Sequence, residues 1–248
     1  MNCIRNRRTI RRYSDRPVDE ALVAQLLEEA ERTQTMGNLQ LYSVVITRSE
    51  EMKQELAPCH FNQPMVTAAP VVLTFCADFH RTTEWCRHRK AKPGYDNLLS
   101  FINAASDALL YCQTFCTLAE NAGLGLCYLG TTVSNPGKII DILGLPRLVM
   151  PIATITLGWP EEVPEQTERL PLSAIVHHEH YTPATAESID RDYSAKEALP
   201  DNQNFVRINH KETLAQVFTD CRYTRSANEA MSQTFIDTLR KQGFSFPV

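Results

Sequence analysis

A long apolar repeat in the middle of the chain restricts the folds that this sequence can adopt. Between residues 98 and 119, apolar side chains recur at alternating steps of four and three, which is the spacing of one helical face. They are Leu98, Ile102, Ala105, Leu109, Cys112, Cys116 and Ala119. The pattern predicts a helix from about Asn97 to Asn121, ended by Gly123, that lies in the core of the protein or against a symmetry-related copy.

Two apolar segments before this helix and two after it predict strands. They are LYSVVIT at 41–47, APVVLTFCADF at 69–79, LGLCYLGTTV at 124–133 and VMPIATITLGW at 149–159. The second segment is apolar throughout, as in strands that are buried on both faces. Capping and periodicity signals predict further helices at residues 16–33, 49–57, 135–144, 210–221 and 226–242.

The composition changes beyond Trp159, because residues 160–193 are rich in proline, threonine and acidic side chains. This composition predicts an extended arm rather than a packed layer. The arm has no apolar core of its own, so it docks either on a neighbouring subunit or on its own chain. The sequence therefore predicts a single domain over residues 1–248, with a core at 1–159 and the arm and C-terminal helices at 160–248.

The cysteines and histidines do not form a recognisable metal motif. The eight cysteines include no CxxC pair, and the VHHEH stretch at 176–180 has no second ligand group at zinc spacing. Cys112 and Cys116 are spaced to hold a metal on a helix, but both lie on the apolar face, so buried thiols are expected. The chain also has no membrane-length apolar stretch and no signal-peptide core. We therefore expect a cytoplasmic protein with no metal site and no membrane contact.

Six arginines lie between positions 5 and 16, although the whole chain has a formal net charge of -4. These residues alone leave three explanations open. Nucleic acid binding is disfavoured, because only Tyr13 lies nearby and the rest of the chain is acidic. A solvated charged segment without a role is the second explanation. The third is a phosphate group held by Arg7, Thr9 and Arg11, whose guanidinium groups and hydroxyl are suitable donors.

The order of short motifs along the chain favours the phosphate. The chain contains, in this order, an RRTIR opening, a small-polar loop before a strand, the long helix, GLGLCYLG at 123–130 and LGWP at 157–160. In this order they resemble the FMN-dependent nitroreductase family. The likeness is greatest to its branch of larger oxygen-insensitive nitroreductases and NADPH–flavin oxidoreductases. It covers most of residues 4–180 and reaches the LRKQGF ending at 239–244.

The resemblance implies a set of FMN-binding residues. It places the phosphate and ribityl chain on the basic segment and on one later arginine: Arg7, Arg8, Thr9, Arg11 and Arg169. It places the isoalloxazine ring along the end of a strand: Tyr128, Leu129, Gly130 and Thr131. Thr35 falls on the next flavin-contacting loop, and Gln63 falls at the polar side of the ring.

The resemblance also implies the architecture and the reaction. The fold is α+β, with a mixed or antiparallel sheet, flanking helices and an extended arm, in an intertwined homodimer with FMN at the interface. NADPH or NADH delivers hydride to FMN and leaves, and a small-molecule electron acceptor such as a nitroaromatic or a quinone then takes two electrons. No catalytic side chain is expected, because the flavin supplies the chemistry. A flavin reductase serving a partner and a non-catalytic flavin-binding protein remain the alternatives.

Two departures from that branch bear on ligand binding. Thr167 stands where the branch usually has a lysine near the FMN phosphate. In the segment that corresponds to the NADPH-binding loop, only Arg207 and Lys211 are candidates for the 2′-phosphate. The sequence therefore does not predict which nicotinamide nucleotide is preferred.

Overall fold

A four-stranded antiparallel sheet lies at the centre of the chain in the computed structural model, which describes residues 2–246. The strands are β1 (Tyr42–Thr47), β2 (Val71–Asp78), β3 (Gly125–Leu129) and β4 (Val149–Gly158), in the order β1-β2-β4-β3. All four were predicted. β3 is shorter than predicted because Gly130–Ser134 turn into a short 3-10 helix. Met1, Pro247 and Val248, which belong to the predicted domain, lie outside the described residues.

Helices connect and flank the strands. The helices that precede β4 in the sequence are α1 (Asn2–Arg5), α2 (Glu20–Ala30), α3 (Glu50–Leu56), α4 (Pro64–Ala68), α5 (His80–His88), α6 (Leu98–Asn121) and α7 (Pro136–Leu143). Those that follow it are α8 (Ala186–Glu197), α9 (Pro200–Ile208), α10 (Leu214–Val217), which continues as a π-helical turn at Phe218–Arg222, and α11 (Arg225–Lys241). The sequence did not predict α1, α4, α5, α8 and α9.

The long helix α6 packs against the sheet, as the apolar repeat predicted. Phe115 is fully buried, and its ring centroid lies 5.9 Å from that of Phe75 on β2. The predicted face lies in the core only in the second half of the helix. In the first half Leu98, Ile102 and Leu109 are 42% to 49% exposed in the single chain, and contact of this part with a symmetry-related copy stays a prediction. This part of α6 is apolar on both sides, so the spacing could not decide which side faces the sheet.

A second apolar cluster covers the opposite side of β3. It consists of Leu56, Ala57, Cys59, Met65, Val66, Cys127, Leu129 and Ile139, which come from α3, α4, β3, α7 and the turns between them. β2 lies between apolar layers, and all eight of its residues are buried, as its uniform composition predicted. The sheet is therefore covered on both faces around β3.

The chain divides into two compact units. One comprises the chain up to Glu165 together with the chain from Met231 onward, and the other comprises Gln166–Ala230. Within the second unit the stretch predicted to be extended ends at Thr185, whose hydroxyl caps α8 by accepting the Ser188 N–H at 3.3 Å. The sequence did not predict α8, because the proline-rich and acidic composition of residues 160–193 outweighed the capping signal at Thr185. Among residues 2–246, no helix has the length and apolar content needed to cross a membrane.

The N-terminal basic segment is fixed to the edge of the sheet. The Ile10 N–H donates to the Leu126 carbonyl at 3.0 Å, so the segment runs beside β3. The Ile10 side chain sits directly over Gly125, where an added Cβ would lie 2.6 Å from the Ile10 Cγ1. Further along, the Tyr13 hydroxyl lies 2.6 Å from the Thr156 Oγ1 on β4. A glycine at position 125 therefore sets how closely the arginines approach the sheet.

We expect Gly125→Ala to destabilise the fold by about 1–3 kcal/mol, because the new methyl group overlaps the Ile10 side chain. The matched control is Gly94→Ala, where an added Cβ meets no atom within 4 Å and the expected change is within about 0.5 kcal/mol. Urea unfolding followed by circular dichroism measures both. Equal midpoints for the two variants would show that Ile10 does not lie against Gly125.

Candidate functional site

The first part of the candidate site is a cavity between the N-terminal segment and the end of α6. It has a volume of about 190 Å³. Its lining includes Arg7, Arg8, Glu120 and Gly125. The Nε of Arg8 is buried, and no described residue accepts its hydrogen. The Oε1 of Glu120 in the same cavity is also buried without a hydrogen bond from the described residues. Two guanidinium groups thus face one carboxylate, and the unsatisfied Arg8 nitrogen fits an anionic group such as a phosphate.

Glu120 places a carboxylate in the same cavity. Its Oε1 lies 3.4 Å from the Arg7 Nε, and its side chain is only 10% exposed. Burial raises the pKa of Glu120, and the Arg7 guanidinium offsets part of that increase. Arg7 therefore has a carboxylate neighbour that orients its guanidinium group within the cavity.

The six arginines of the basic segment do not act as one cluster. Arg12 pairs with Glu161 at 3.2 Å and with Glu162 at 3.5 Å. The Arg16 guanidinium stacks over the Trp159 ring at 3.6 Å. Arg11 instead lies near the buried thiol of Cys127, whose pKa is raised by burial and lowered in part by Arg11. These contacts separate Arg12 and Arg16 from the arginines that the sequence assigned to a phosphate.

The second part of the site is the end of β3 and the turn that follows. Leu129 is 2% exposed and its side chain packs in the apolar cluster, so only its backbone can face a ligand. Tyr128 is 43% exposed. Burial of part of its ring raises the pKa of its hydroxyl, and the thiols of Cys112 and Cys116 on α6 add to the shift. Gly130 has open space where a side chain would stand.

His60 joins this turn to the segment that carries Gln63. The imidazole is fully buried, and its Nδ1 lies 2.9 Å from the Thr131 Oγ1. The Gln63 N–H donates to the His60 carbonyl at 3.2 Å. Phe61 and Asn62 between them adopt the left-handed conformation, with φ of 55° and 53°. His60 therefore fixes two predicted flavin-contacting segments against each other.

The third part of the site is the loop that carries Thr35. The Thr35 hydroxyl donates to the Asp107 carboxylate on α6 at 2.5 Å and accepts the Gln40 N–H at 2.9 Å. The Asp107 carboxylate also accepts the Met36 N–H at 2.9 Å. The loop is thus attached to the same helix that Tyr128 approaches.

The remaining predicted residues lie in the second unit. Arg169 is exposed, and its Nη1 donates to the Thr167 Oγ1 at 2.8 Å. Lys211 forms an ion pair with Asp220 at 2.9 Å. The Arg207 Nη2 donates to the neutral Asn204 side chain at 2.6 Å. Of the two candidates for a nucleotide phosphate, Lys211 is thus the one whose charge is already balanced.

Sequence reasoning missed three residues of the site: His60, Asp107 and Glu120. One signal could have found two of them, because Asp107 and Glu120 are the charged residues of an otherwise uncharged α6. A charged residue within a buried apolar helix normally has a specific partner. Within residues 2–246, no group of three or more His, Cys, Asp or Glu side chains is arranged to hold a metal ion.

The chain is similar to known proteins both in sequence and in structure. The family model described as the nitroreductase family matches residues 4–159. An FMN reductase of Bacillus subtilis that uses NAD(P)H is 32% identical over 176 residues, which cover 70% of this chain and 71% of the relative. An oxygen-insensitive NADPH nitroreductase of Salmonella typhimurium is 31% identical over 176 residues, covering 71% and 72%. A crystal structure of an oxidoreductase from Bacteroides fragilis is 57% identical and superposes with a TM-score of 0.98, covering 99% and 100%.

The burial of His60 predicts an acid-sensitive fold. Burial lowers the pKa of His60 from its usual 6.5 to about 4. Between these two values the unfolded chain binds a proton and the folded chain does not, so stability falls as the pH falls from 6.5 towards 4. The full loss is about 3 kcal/mol at 1.36 kcal/mol per pKa unit. Urea midpoints of the wild type at pH 7.5, 6.5, 5.5 and 4.5 measure the decline.

In His60→Gln the buried group at position 60 no longer titrates, so the stability of this variant should depend less on pH than that of the wild type. His88→Gln serves as the control, because His88 is exposed at the end of α5. If His60→Gln keeps the full pH dependence of the wild type, another group is responsible for the decline.

Proposed function

The chain belongs to the nitroreductase family, and we propose that it is an FMN-dependent oxidoreductase that transfers two electrons from NADPH or NADH to a small acceptor. Nitroaromatics and quinones are the acceptors that we propose. The observation that carries the proposal is the basic cavity at Arg7 and Arg8, with its buried unsatisfied Arg8 Nε. The FMN phosphate carries about 1.5 to 2 negative charges at neutral pH, which suits such a cavity.

We propose that four segments of the chain, together with Arg169, bind FMN. The basic segment and Arg169 would hold the phosphate and ribityl chain through Arg7, Arg8, Thr9, Arg11 and Arg169. The end of β3 and the turn after it would border the ring through Tyr128, Leu129, Gly130 and Thr131, together with Gln63 and the Thr35 loop. Bound FMN would supply the ring that accepts hydride and stores two electrons, while the protein supplies orientation and electrostatics.

The residues around the ring position have limited chemical roles. The buried imidazole of His60 is neutral at physiological pH, because its pKa is lowered to about 4. It holds Thr131 by a hydrogen bond and does not donate a proton to an acceptor. Gly130 leaves open space beside the strand end, so a flat ring can approach the backbone closely.

A flavin reductase that supplies reduced FMN to a partner is a second candidate function. It is favoured by the 32% identical relative, which is itself an FMN reductase. The two functions use the same flavin site and differ in which acceptor is reduced fastest. Comparison of free FMN with nitrofurazone and with a benzoquinone, each at equal concentration, would rank them.

A second copy of the chain is proposed to cover the outer side of α6. Most of the exposed residues there are apolar over about four turns of helix, and the apolar ones have an exposure of 42% to 67% in the single chain: Leu98, Leu99, Ile102, Leu109 and Leu110. Ser106 is an exposed polar residue among them. A largely apolar stripe of this kind marks a protein–protein contact. We propose that the contact forms a homodimer with both flavin sites near it.

The proposed function predicts a yellow protein whose absorbance near 450 nm is bleached anaerobically by NADPH or by NADH. Arg8→Gln should raise the dissociation constant of FMN by about tenfold, because it removes a guanidinium group that lines the cavity and the charge-assisted contact that it would make to the phosphate. Arg12→Gln is the matched control, since Arg12 pairs with Glu161 and Glu162. Fluorescence titration of the apoprotein with FMN measures both constants.

Three outcomes would contradict this prediction. A protein that neither contains nor takes up FMN would refute the proposed function. A protein that binds FMN but is bleached by neither nucleotide would be a flavin-binding protein without this activity. Equal weakening by Arg8→Gln and Arg12→Gln would indicate a general effect of positive charge and not a contact in the cavity.

The homodimer predicts that charge on the α6 stripe separates the subunits. Ile102→Asp combined with Leu109→Asp should yield a monomer in sedimentation velocity, because each carboxylate would be buried in an apolar interface. Trp85→Asp provides the control, since Trp85 is 57% exposed on α5 and lies outside the stripe. A wild-type monomer, or a double variant that sediments as the wild type does, would contradict the proposed contact.

A further inference from the structure

Asp107 is a buried charge that holds one loop. Its side chain lies in the middle of α6 and is 2% exposed. It accepts hydrogen bonds from the Thr35 hydroxyl at 2.5 Å and from the backbone N–H groups of Met36 at 2.9 Å and Leu41 at 3.2 Å. Donors from both ends of the segment 35–41 therefore converge on one carboxylate that is 66 to 72 positions away in the sequence.

The loop has a backbone conformation that needs such support. Gly37, Asn38 and Gln40 adopt left-handed conformations, with φ of 55°, 56° and 52°. This conformation is unfavourable for residues that carry a side chain. Short hydrogen bonds to an ionised carboxylate are among the stronger ones in proteins, so they can hold a strained loop in one shape.

Arg81 holds the same loop from the other side. Its guanidinium group donates to the Gln40 carbonyl and to the Tyr42 carbonyl. The same group lies 3.7 Å from the carboxylate of Asp78, which is 8% exposed and belongs to β2. The loop is thus fixed between α6 and the end of β2, and Asp107 supplies the part of this support nearest Thr35.

The Thr35 hydroxyl is used within the protein. It donates to Asp107 and accepts from the Gln40 N–H, so its proton and one of its lone pairs are already engaged. A ligand beside the loop would therefore meet the backbone and the shape of the loop more than the threonine hydroxyl. The Thr35 hydroxyl thus stabilises the conformation of the loop through these two hydrogen bonds.

We propose that Asp107 is a positioning residue for flavin binding, which fixes the Thr35–Leu41 loop in the shape that contacts the cofactor. This inference rests on the proposed function, because it takes the loop to be a flavin contact. Asparagine cannot replace the carboxylate, since its single carbonyl oxygen would have to accept three donors and its amide group would face backbone N–H groups. The position therefore needs an acceptor at both oxygens, which asparagine does not provide.

The test compares Asp107→Asn with Tyr111→Phe. Tyr111 lies one turn further along α6, and its hydroxyl donates to the Leu27 carbonyl at 2.9 Å. Its ring stacks on that of Tyr42, directly after the loop, and phenylalanine keeps this ring. Each substitution removes hydrogen bonding by a side chain of α6, but only Asp107→Asn removes hydrogen bonds to the loop. We expect Asp107→Asn to raise the FMN dissociation constant by about tenfold and to shift the visible absorbance of the bound flavin. We expect Tyr111→Phe to lower the melting temperature and leave both properties unchanged.

Variants at Thr35 separate positioning from general destabilisation. Thr35→Val removes the donor to Asp107 and should weaken FMN binding by about threefold to tenfold, whereas Thr35→Ser keeps the hydroxyl and should restore it. Combined with Asp107→Asn, Thr35→Val should add little, because the two side chains form one contact. These threonine variants test the proposal even if Asp107→Asn does not fold.

The outcomes distinguish this inference from the proposed function. Unchanged FMN binding and an unchanged flavin spectrum in Asp107→Asn and Thr35→Val would overturn the positioning role while the enzyme remains a flavoprotein. Additive effects of the two substitutions would also overturn it. A wild-type protein that does not bind FMN would refute the proposed function itself.

Discussion

The packing of one apolar helix against the sheet is the constraint on which the rest of the site depends. Helix α6 carries two charged residues, Asp107 and Glu120, and both are largely buried. A buried carboxylate is costly unless donors surround it. At Asp107 the donors come from the Thr35 loop, whereas Glu120 has Arg7 as its ion-pair neighbour at 3.4 Å and its buried Oε1 accepts no hydrogen bond from the described residues. The two carboxylates of α6 therefore help to place the Thr35 loop and Arg7, while His60 places the segments of Thr131 and Gln63.

The fold gives the arginines of the basic segment different neighbours. Six arginines close together in sequence would repel one another if they shared one surface. Instead Arg12 is balanced by glutamates and Arg16 by an indole ring, while Arg7 and Arg8 line a cavity at the edge of the sheet. The division follows from the pairing of the segment with β3, which fixes which arginine meets which neighbour. The arginines can be recognised in the local sequence, but the residues that contact Arg7, Arg12 and Arg16 lie more than 100 positions away.

Much of the fold could be predicted because its signals are local. The uniform apolar run of β2 and the proline and glycine that bound α7 both led to the correct elements. The spacing could not separate two arrangements in the first half of α6, which is apolar on both sides. The predicted face is the one exposed in the single chain, and its contact with a second copy stays a prediction. The cofactor residues were inferred from resemblance. The roles of His60 and Asp107 could not be inferred, because they depend on partners that only the fold brings close.

The two sides of α6 connect subunit contact with the cofactor loop. Between Leu98 and Leu110 the outer side presents the apolar stripe, and the inner side carries Asp107 with its three donors. A helix is stiff over this length, so a shift that improves packing on one side moves the groups on the other. If a second subunit covers the stripe, its binding free energy also favours the position of α6 that holds the loop. By linkage, a cofactor that needs this loop shape then binds more tightly to the dimer than to the monomer, and it stabilises the dimer by the same factor.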